Sequence, residues 1–314
     1  MSDSTPSLET LAQTLEASGD YRITRRFQPK DQFAEPPPDV RLLRLAVIDS
    51  ETTGLDAEQD KVIELGYVIA SFDPLTGQVY RVESRHSSFE DPGFPLPEHI
   101  KALTGLTDDD VRGQRFDDAR IEAELSTCAL IVAHNAPFDR GFLERRFPFL
   151  SGLWWACSQR ECPWKIMQTG STKLEWLMHQ LLGRFYDAHR ALIDAEVLLS
   201  ILAEVRFEDA PVLRYLLQES KKLTFRVWAN HSPYDKKDTL KQKLQYRWSD
   251  GTDPTLPFKA WYKDGVTDLD AELAALTEHV YSTPSVIQVD ASTGRERYTA
   301  RYAERHPYTV GAGE

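Results

Sequence analysis

Cysteine is scarce in this chain of 314 residues. Cys128, Cys157 and Cys162 are too few, and odd in number, for a disulfide scaffold. Cys157 and Cys162 do not form a Cys-x-x-Cys knuckle and no second pair follows, so buried free thiols are expected rather than a zinc site. Long apolar runs are also lacking, none approaching the roughly 20 residues of a membrane span. Met1 to Thr5 carry neither the basic nor the apolar region of a secretory signal, and the expected compartment is a reducing cytoplasm. Positive charge is short overall: the net charge is -12, which argues against a sequence-independent coat for nucleic acid, since that mode needs Lys and Arg to neutralise phosphates. The charge is unevenly spread. Between Lys221 and Lys263 ten cationic residues face four acidic ones, a local charge of +6 that leaves -18 on the remainder.

With 41% hydrophobic residues, the chain can bury one sizeable core and still have length for a small second module. Residues 1–42 read as a short helix (Leu8, Leu11, Leu15) and a connector ending in Pro36-Pro37-Pro38. The first strand is Leu43 to Asp49. A second apolar run, Val62 to Phe72, breaks at Asp73-Pro74-Leu75-Thr76-Gly77 and returns as Val79, Tyr80 and Val82, a hairpin signal that predicts three adjacent antiparallel strands. Helices are expected over Glu98–Leu103, Asp108–Val111 and Asp117–Cys128. Ala129 to Ala133 suits a buried parallel strand, and Pro137 suits the first position of the helix that follows. Trp154 to Cys157 is a further short strand, with helices expected over Thr172–Leu182, Arg190–Val205 and Glu208–Ser220. From Phe225 the texture becomes basic and aromatic and reads as an α+β module ending in an acidic helix, Asp268 to Val280, after which Val286–Val289 and Arg297–Arg301 read as a hairpin or an edge strand. The expected domains are therefore 1–42, 43–205, a linking helix at 206–224, and 225–314.

Five side chains in three separated stretches carry the chemistry. Alternation along a strand points Asp49 and Glu51 to one face while Ser50 turns away, and two carboxylates side by side repel unless a cation sits between them. Thr52, Thr53 and Gly54 follow, small residues that let a ligand approach the backbone. A solvated strand end remains the plainer alternative. At roughly 100° per residue, Ala195, Leu198, Leu199 and Leu202 form one apolar helix face with Asp194 at its edge, and no Lys or Arg lies one turn away on that stripe, so a metal explains the acid better than a salt bridge. An Asp at the rim of a core helix is the alternative. His189 stands five residues earlier, on the Tyr186-Asp187-Ala188 loop, and histidine as a residue type suits a general base for water. Asp139 opens a helix beside a strand end, where a carboxylate can also be merely helix-stabilising.

Asp49-x-Glu51-Thr52-Thr53-Gly54, His134-Asn135-x-x-Phe138-Asp139-x-x-Phe142-Leu143 and His189-x-x-x-x-Asp194-Ala195 together resemble the DEDDh group of 3′ to 5′ exonucleases. That group includes the proofreading ε subunit of bacterial replicative polymerase, ribonuclease T, oligoribonuclease and the animal Trex enzymes. Leu103-Thr104-Gly105-Leu106-Thr107 is similar to the polymerase-associated branch, and the resemblance covers about residues 43 to 205. It implies a ribonuclease H-like α/β fold, a mixed sheet flanked by helices. It also implies two Mg²⁺ or Mn²⁺ ions held by Asp49, Glu51, Asp139 and Asp194, with His189 deprotonating the attacking water. By the same resemblance Thr52, Thr53, Gly54 and Leu55 contact the terminal nucleotide, Asn135 and Phe138 shape its pocket, and a nucleoside 5′-monophosphate leaves. An exoribonuclease of the same fold, or a non-catalytic nucleic-acid-binding or polymerase-associated subunit, is the alternative.

The C-terminal module resembles an accessory unit of some bacterial stand-alone members. Its cations Lys237, Lys241 and Arg247, interleaved with Tyr234, Tyr246, Trp248, Trp261 and Tyr262, suit single-stranded nucleic acid, which makes single-stranded or frayed 3′ ends the expected partner, DNA favoured. A polymerase or repair protein is a possible further partner, and a membrane is not. A small domain with a tryptophan core and solvated lysines is the alternative. The charge split adds an expectation that cutting the chain after Ser220 spares very short substrates.

Overall fold

The computed structural model describes residues 6–252, 256–299 and 301–311; Met1–Thr5, Asp253 and Ala300, which enter the reading above, lie outside the described residues. In chain order the elements are α1 (Leu8–Ala17), β1 (Arg25–Arg26), β2 (Leu43–Thr52), β3 (Val62–Phe72), β4 (Val79–Phe89), α2 (Glu98–Thr104), α3 (Asp108–Val111), α4 (Asp118–Leu125) and β5 (Leu130–Ala133). They continue with α5 (Ala136–Arg146), β6 (Trp155–Cys157), α6 (Ser158–Glu161), α7 (Leu174–Leu182), β7 (Arg184–Phe185), α8 (Ala191–Glu204), β8 (Arg206–Phe207), β9 (Ala210–Pro211) and α9 (Val212–Ser220). The last are β10 (Thr224–Ala229), β11 (Arg247–Asp250), β12 (Lys259–Val266), α10 (Leu269–His279), β13 (Ser285–Ser292) and β14 (Glu304–Val310). The chain divides into two compact units, one of Met1–Gly54, Lys61–Phe116 and Cys162–Tyr215, the other of Leu55–Asp60, Asp117–Glu161 and Leu216–Glu314.

In the first unit β2, β3 and β4 form the expected antiparallel meander, paired from Leu43↔Phe72 to Thr52↔Val62 and from Glu64↔Phe89 to Phe72↔Val79. Every residue of β3 is buried, as its unbroken apolar run demands. The hairpin turn is held by Asp73, whose carboxylate accepts from the Leu75 amide (2.8 Å) and the Thr76 hydroxyl (2.7 Å), while Gly77 takes φ 71°. Helix α8 is buried almost all round, from Asp194 to Ala203, and so has more than the single apolar face expected. It lies against β3 at Gly66: a Cβ there would stand 2.2 Å from the Leu192 amide nitrogen, so only glycine lets the helix start this close. The expected helix from Glu208 begins later. Glu208 and Asp209 take left-handed φ of 49° and 60° and turn the chain from β8 into β9, and Pro211, which has no amide proton to donate, precedes α9.

In the second unit β5 and β6 are parallel, in register from Ile131↔Trp155 to Ala133↔Cys157. Asn135, at φ 72°, turns the chain out of β5 into α5, a left-handed position that asparagine tolerates. The C-terminal strands form an antiparallel sheet in the order β11-β12-β10-β13-β14. Its core of Val227, Leu240, Leu276, Ile287 and Val289 packs α10 on one face. The terminal hairpin differs from the expectation: Val286–Val289 do lie in a strand, but its partner is Glu304–Val310, and Arg297 to Thr299 belong to the intervening turn. The reason is Arg140 on α5, wholly buried, whose guanidinium donates to the carbonyls of Gly294 (3.0 Å), Arg297 (2.8 Å) and Arg295. Arg297 in turn pairs with Glu161, which also accepts from the Tyr298 hydroxyl at 2.7 Å. Arg140 also pairs with Glu144 within α5 at 2.6 Å, but a cut after Ser220 would remove these three carbonyl acceptors and the partners of Glu161, so the expectation of a removable module gives way to that of an integral part.

Candidate metal centre

The pleat of β2 turns Asp49 and Glu51 to one side, where Gly66 and Glu64 are their partners on β3. Just past them the strand ends in a tied turn. Thr52 donates its hydroxyl to the Gly54 carbonyl at 2.6 Å, and Thr53 binds Lys61 twice, by amide to carbonyl (2.9 Å) and by hydroxyl accepting from the amide (3.0 Å). The close approach of α8 at Gly66 brings in Asp194 from its first turn. One oxygen from each of Asp49, Glu51 and Asp194 lies within 4.8 Å of the others; the first two side chains are half-buried and the third is 8% exposed.

Asp194 is closely held. The Tyr186 hydroxyl donates to its Oδ1 at 2.7 Å and the Arg190 amide to its Oδ2 at 3.1 Å. Burial pushes its carboxyl above the usual range, against these hydrogen bonds, and burial together with the nearby Asp194 pushes the Tyr186 phenol up as well. Carboxylates gathered this closely repel one another, which a cation between them relieves, and their oxygens are hard donors of the kind that Mg²⁺ or Mn²⁺ takes. The donor set therefore fits a divalent ion.

Arg190 is not the partner of Asp194 through its side chain. Its guanidinium meets Glu64 at 3.2 Å, and that carboxylate is 1% exposed and raised by burial against the pull of Arg190. His189 is exposed, on the loop before α8, with φ 68°. Tyr186, Glu64 and Gly66 are functional neighbours that sequence reasoning missed. The one signal for them was position: Gly66 and Glu64 interrupt an apolar strand, and Tyr186 is an aromatic in a polar loop.

The remaining expected residues stand in the other unit. Asp139, in the first turn of α5, is 2% exposed, and Phe138 packs on Phe142 with ring centroids 5.0 Å apart. Leu55 is 87% exposed. In the C-terminal module the aromatics divide sharply: Trp228, Tyr246 and Tyr262 are buried, whereas Tyr234 is 82% and Trp248 50% exposed. Lys237 lies 4.7 Å over the Tyr234 ring, Arg247 lies 4.9 Å over Tyr262 and pairs with Asp264 at 2.8 Å, and Lys241 is exposed. All three cysteines are buried thiols outside any disulfide, and no helix among the described residues is long and apolar enough to cross a membrane.

Residues 46–202 match the exonuclease family RNase_T. The PolC-type DNA polymerase III of Lacticaseibacillus paracasei is 38% identical over 116 residues, 36% of this chain and 8% of that polymerase. That of Halalkalibacterium halodurans is 40% identical over 107 residues, 32% of this chain and 7% of the polymerase. The chain thus spans under a tenth of the length of these relatives. Among solved structures, exonuclease X in complex with 5′ overhanging duplex DNA is 21% identical with a TM-score of 0.37, covering 56% of this chain and 90% of that one. An E. coli exonuclease I complex with single-stranded DNA is 15% identical with a TM-score of 0.41, covering 59% and 48%.

Proposed function

From the premise that the chain belongs to the RNase_T exonuclease family, with its ribonuclease H-like α/β fold, we propose that it is a metal-dependent 3′ to 5′ exonuclease acting on DNA. The observation that carries this reading is the gathering of Asp49, Glu51 and Asp194 oxygens within 4.8 Å at the end of β2. These three, with Asp139, would hold two Mg²⁺ or Mn²⁺ ions. When bound, such ions lower the pKa of water and stabilise a leaving 3′ oxygen.

The chain's own residues supply the rest. His189 takes the proton of the attacking water, whose oxygen joins the terminal phosphorus as the bond to the 3′ oxygen breaks. A nucleoside 5′-monophosphate and a strand one nucleotide shorter with a free 3′ hydroxyl result. The exposed position of His189 on its loop leaves it free to face substrate. Thr52 to Leu55 bind the terminal nucleotide, the tied Thr52 and Thr53 giving a rigid floor and the exposed Leu55 an apolar contact, while Asn135 and Phe138 line its pocket. DNA is favoured over RNA because the similar sequences are those of DNA polymerases. In the module, Tyr234 and Trp248 with Lys237, Lys241 and Arg247 would receive a single strand or a frayed 3′ end.

Matched DNA and RNA strands, each labelled at either end, test the reading in Mg²⁺, Mn²⁺ or EDTA. The expected result is stepwise shortening of DNA from the 3′ end, 5′-monophosphate product, and no product in EDTA. Shortening from the 5′ end, or an undiminished rate in EDTA, refutes it.

A further inference from the structure

We propose that Tyr186 is a positioning residue of the metal centre, its hydroxyl fixing the plane of the Asp194 carboxylate for the cation that Asp49 and Glu51 share. The inference rests on the metal-dependent reading above.

A carboxylate in the first turn of a helix can rotate about its last torsion, and a ligand free to rotate loses entropy when it binds. Here both oxygens are held, Oδ1 by the Tyr186 hydroxyl at 2.7 Å and Oδ2 by the Arg190 amide at 3.1 Å. Two donors on two oxygens define the plane of the group. An ionised carboxylate offers about four lone-pair sites, more than these two donors occupy.

The kind of donor matters as much as its place. A lysine or arginine would also satisfy Asp194, but its full positive charge would repel a divalent ion a few ångströms away. A phenol donates without carrying charge. The guanidinium of the nearby Arg190 is drawn off by Glu64 at 3.2 Å, so it is the Arg190 backbone amide and the Tyr186 phenol that donate to Asp194. The two bonds to Asp194 also start from the two ends of the segment 186–190 that carries His189, so the same carboxylate that would hold the ion ties the base-bearing loop to it.

Tyr186→Phe removes only the hydroxyl and keeps the ring that fills the space. Mn²⁺ affinity of the full chain, measured by calorimetry without nucleic acid, is expected to fall about 10-fold or more in this variant, the usual consequence of losing a partner behind a metal ligand. Amide hydrogen exchange at Arg190 should quicken in parallel, a readout that needs no metal. Mn²⁺ affinity within twofold of the parent overturns the proposal. If the parent binds Mn²⁺ and Asp49→Ala abolishes that binding, yet no strand is cut, the exonuclease reading fails and the role of Tyr186 stands. A parent that binds no Mn²⁺ overturns both.

Discussion

Replacing Gly66 by alanine should disable the metal centre without touching any ligand. The added Cβ would lie 2.2 Å from the Leu192 nitrogen, 2.3 Å from the Ala191 carbonyl carbon and 2.6 Å from the Leu192 Cα, all backbone atoms of the first turn of α8. Carbon atoms are comfortable at about 3.5–4.0 Å, so the helix start must retreat by about 1 Å or more. Asp194 rides on that turn and moves with it, while Asp49, the pairing partner of Gly66 on β2, stays. Forced repacking of this kind costs about 1–3 kcal/mol, and a misplacement of about 1 Å at a reacting centre costs roughly 100-fold in rate. The assays are urea unfolding and Mn²⁺ calorimetry on Gly66→Ala beside the parent. Gly141→Ala is the control: it sits inside α5, its Cβ would meet only the Ala57 Cβ at 3.8 Å, and helix propensity predicts a gain of about 1 kcal/mol. A Gly66→Ala protein with the parent's urea midpoint and Mn²⁺ affinity would refute the argument that glycine is there to admit the helix.

Asp49→Ala and Asp194→Ala should each abolish hydrolysis and weaken Mn²⁺ binding while the chain still folds, whereas His189→Ala should lose hydrolysis and keep most Mn²⁺ binding; calorimetry showing lost binding in the histidine variant would make His189 a ligand. Arg140→Met leaves the carbonyls of Gly294, Arg295 and Arg297 short of a buried donor and should cost about 3–5 kcal/mol in urea unfolding, with a loss under about 1 kcal/mol arguing that the turn reaches water instead. Truncation after Ser220 should accordingly impair short and long substrates alike. The Asp73 carboxyl is held below its usual range, first by the Thr76 hydroxyl and then by the Leu75 and Thr76 amides. Its folded pKa being depressed, its contribution to stability is complete above the unfolded value of about 3.9 and fades as pH falls through the folded one. The stability gap between parent and Asp73→Asn should therefore be constant near neutrality and shrink below about pH 4; a gap unchanged at pH 2.5 would remove Asp73 from the hairpin.

What the chain states by itself is whatever depends on short-range periodicity. Period two along Val47 to Glu51 put both acids on one side, the all-apolar run of β3 announced a buried strand, and Asp73 to Gly77 announced the turn after it, because pleat and turn chemistry act over a few residues. The place of His189 on the loop before α8 was equally local, though its left-handed φ of 68° was not legible there. Tertiary structure alone decided how close α8 comes to β3, since that rests on the missing Cβ of Gly66 opposite a helix some 126 residues later. It alone gave Arg190 to Glu64, partners across a helix start and a strand that are neighbours in space only, and it folded the loop so that Tyr186 reaches back to Asp194, a pairing that no helix or strand spacing rule gives. The same holds for the residues around Arg140. A basic, aromatic C-terminal segment looks detachable in composition, yet the guanidinium of Arg140 on α5, paired with Glu144 through Nε, takes its other acceptors from the carbonyls of that segment's turn, and buried donors left without acceptors are costly.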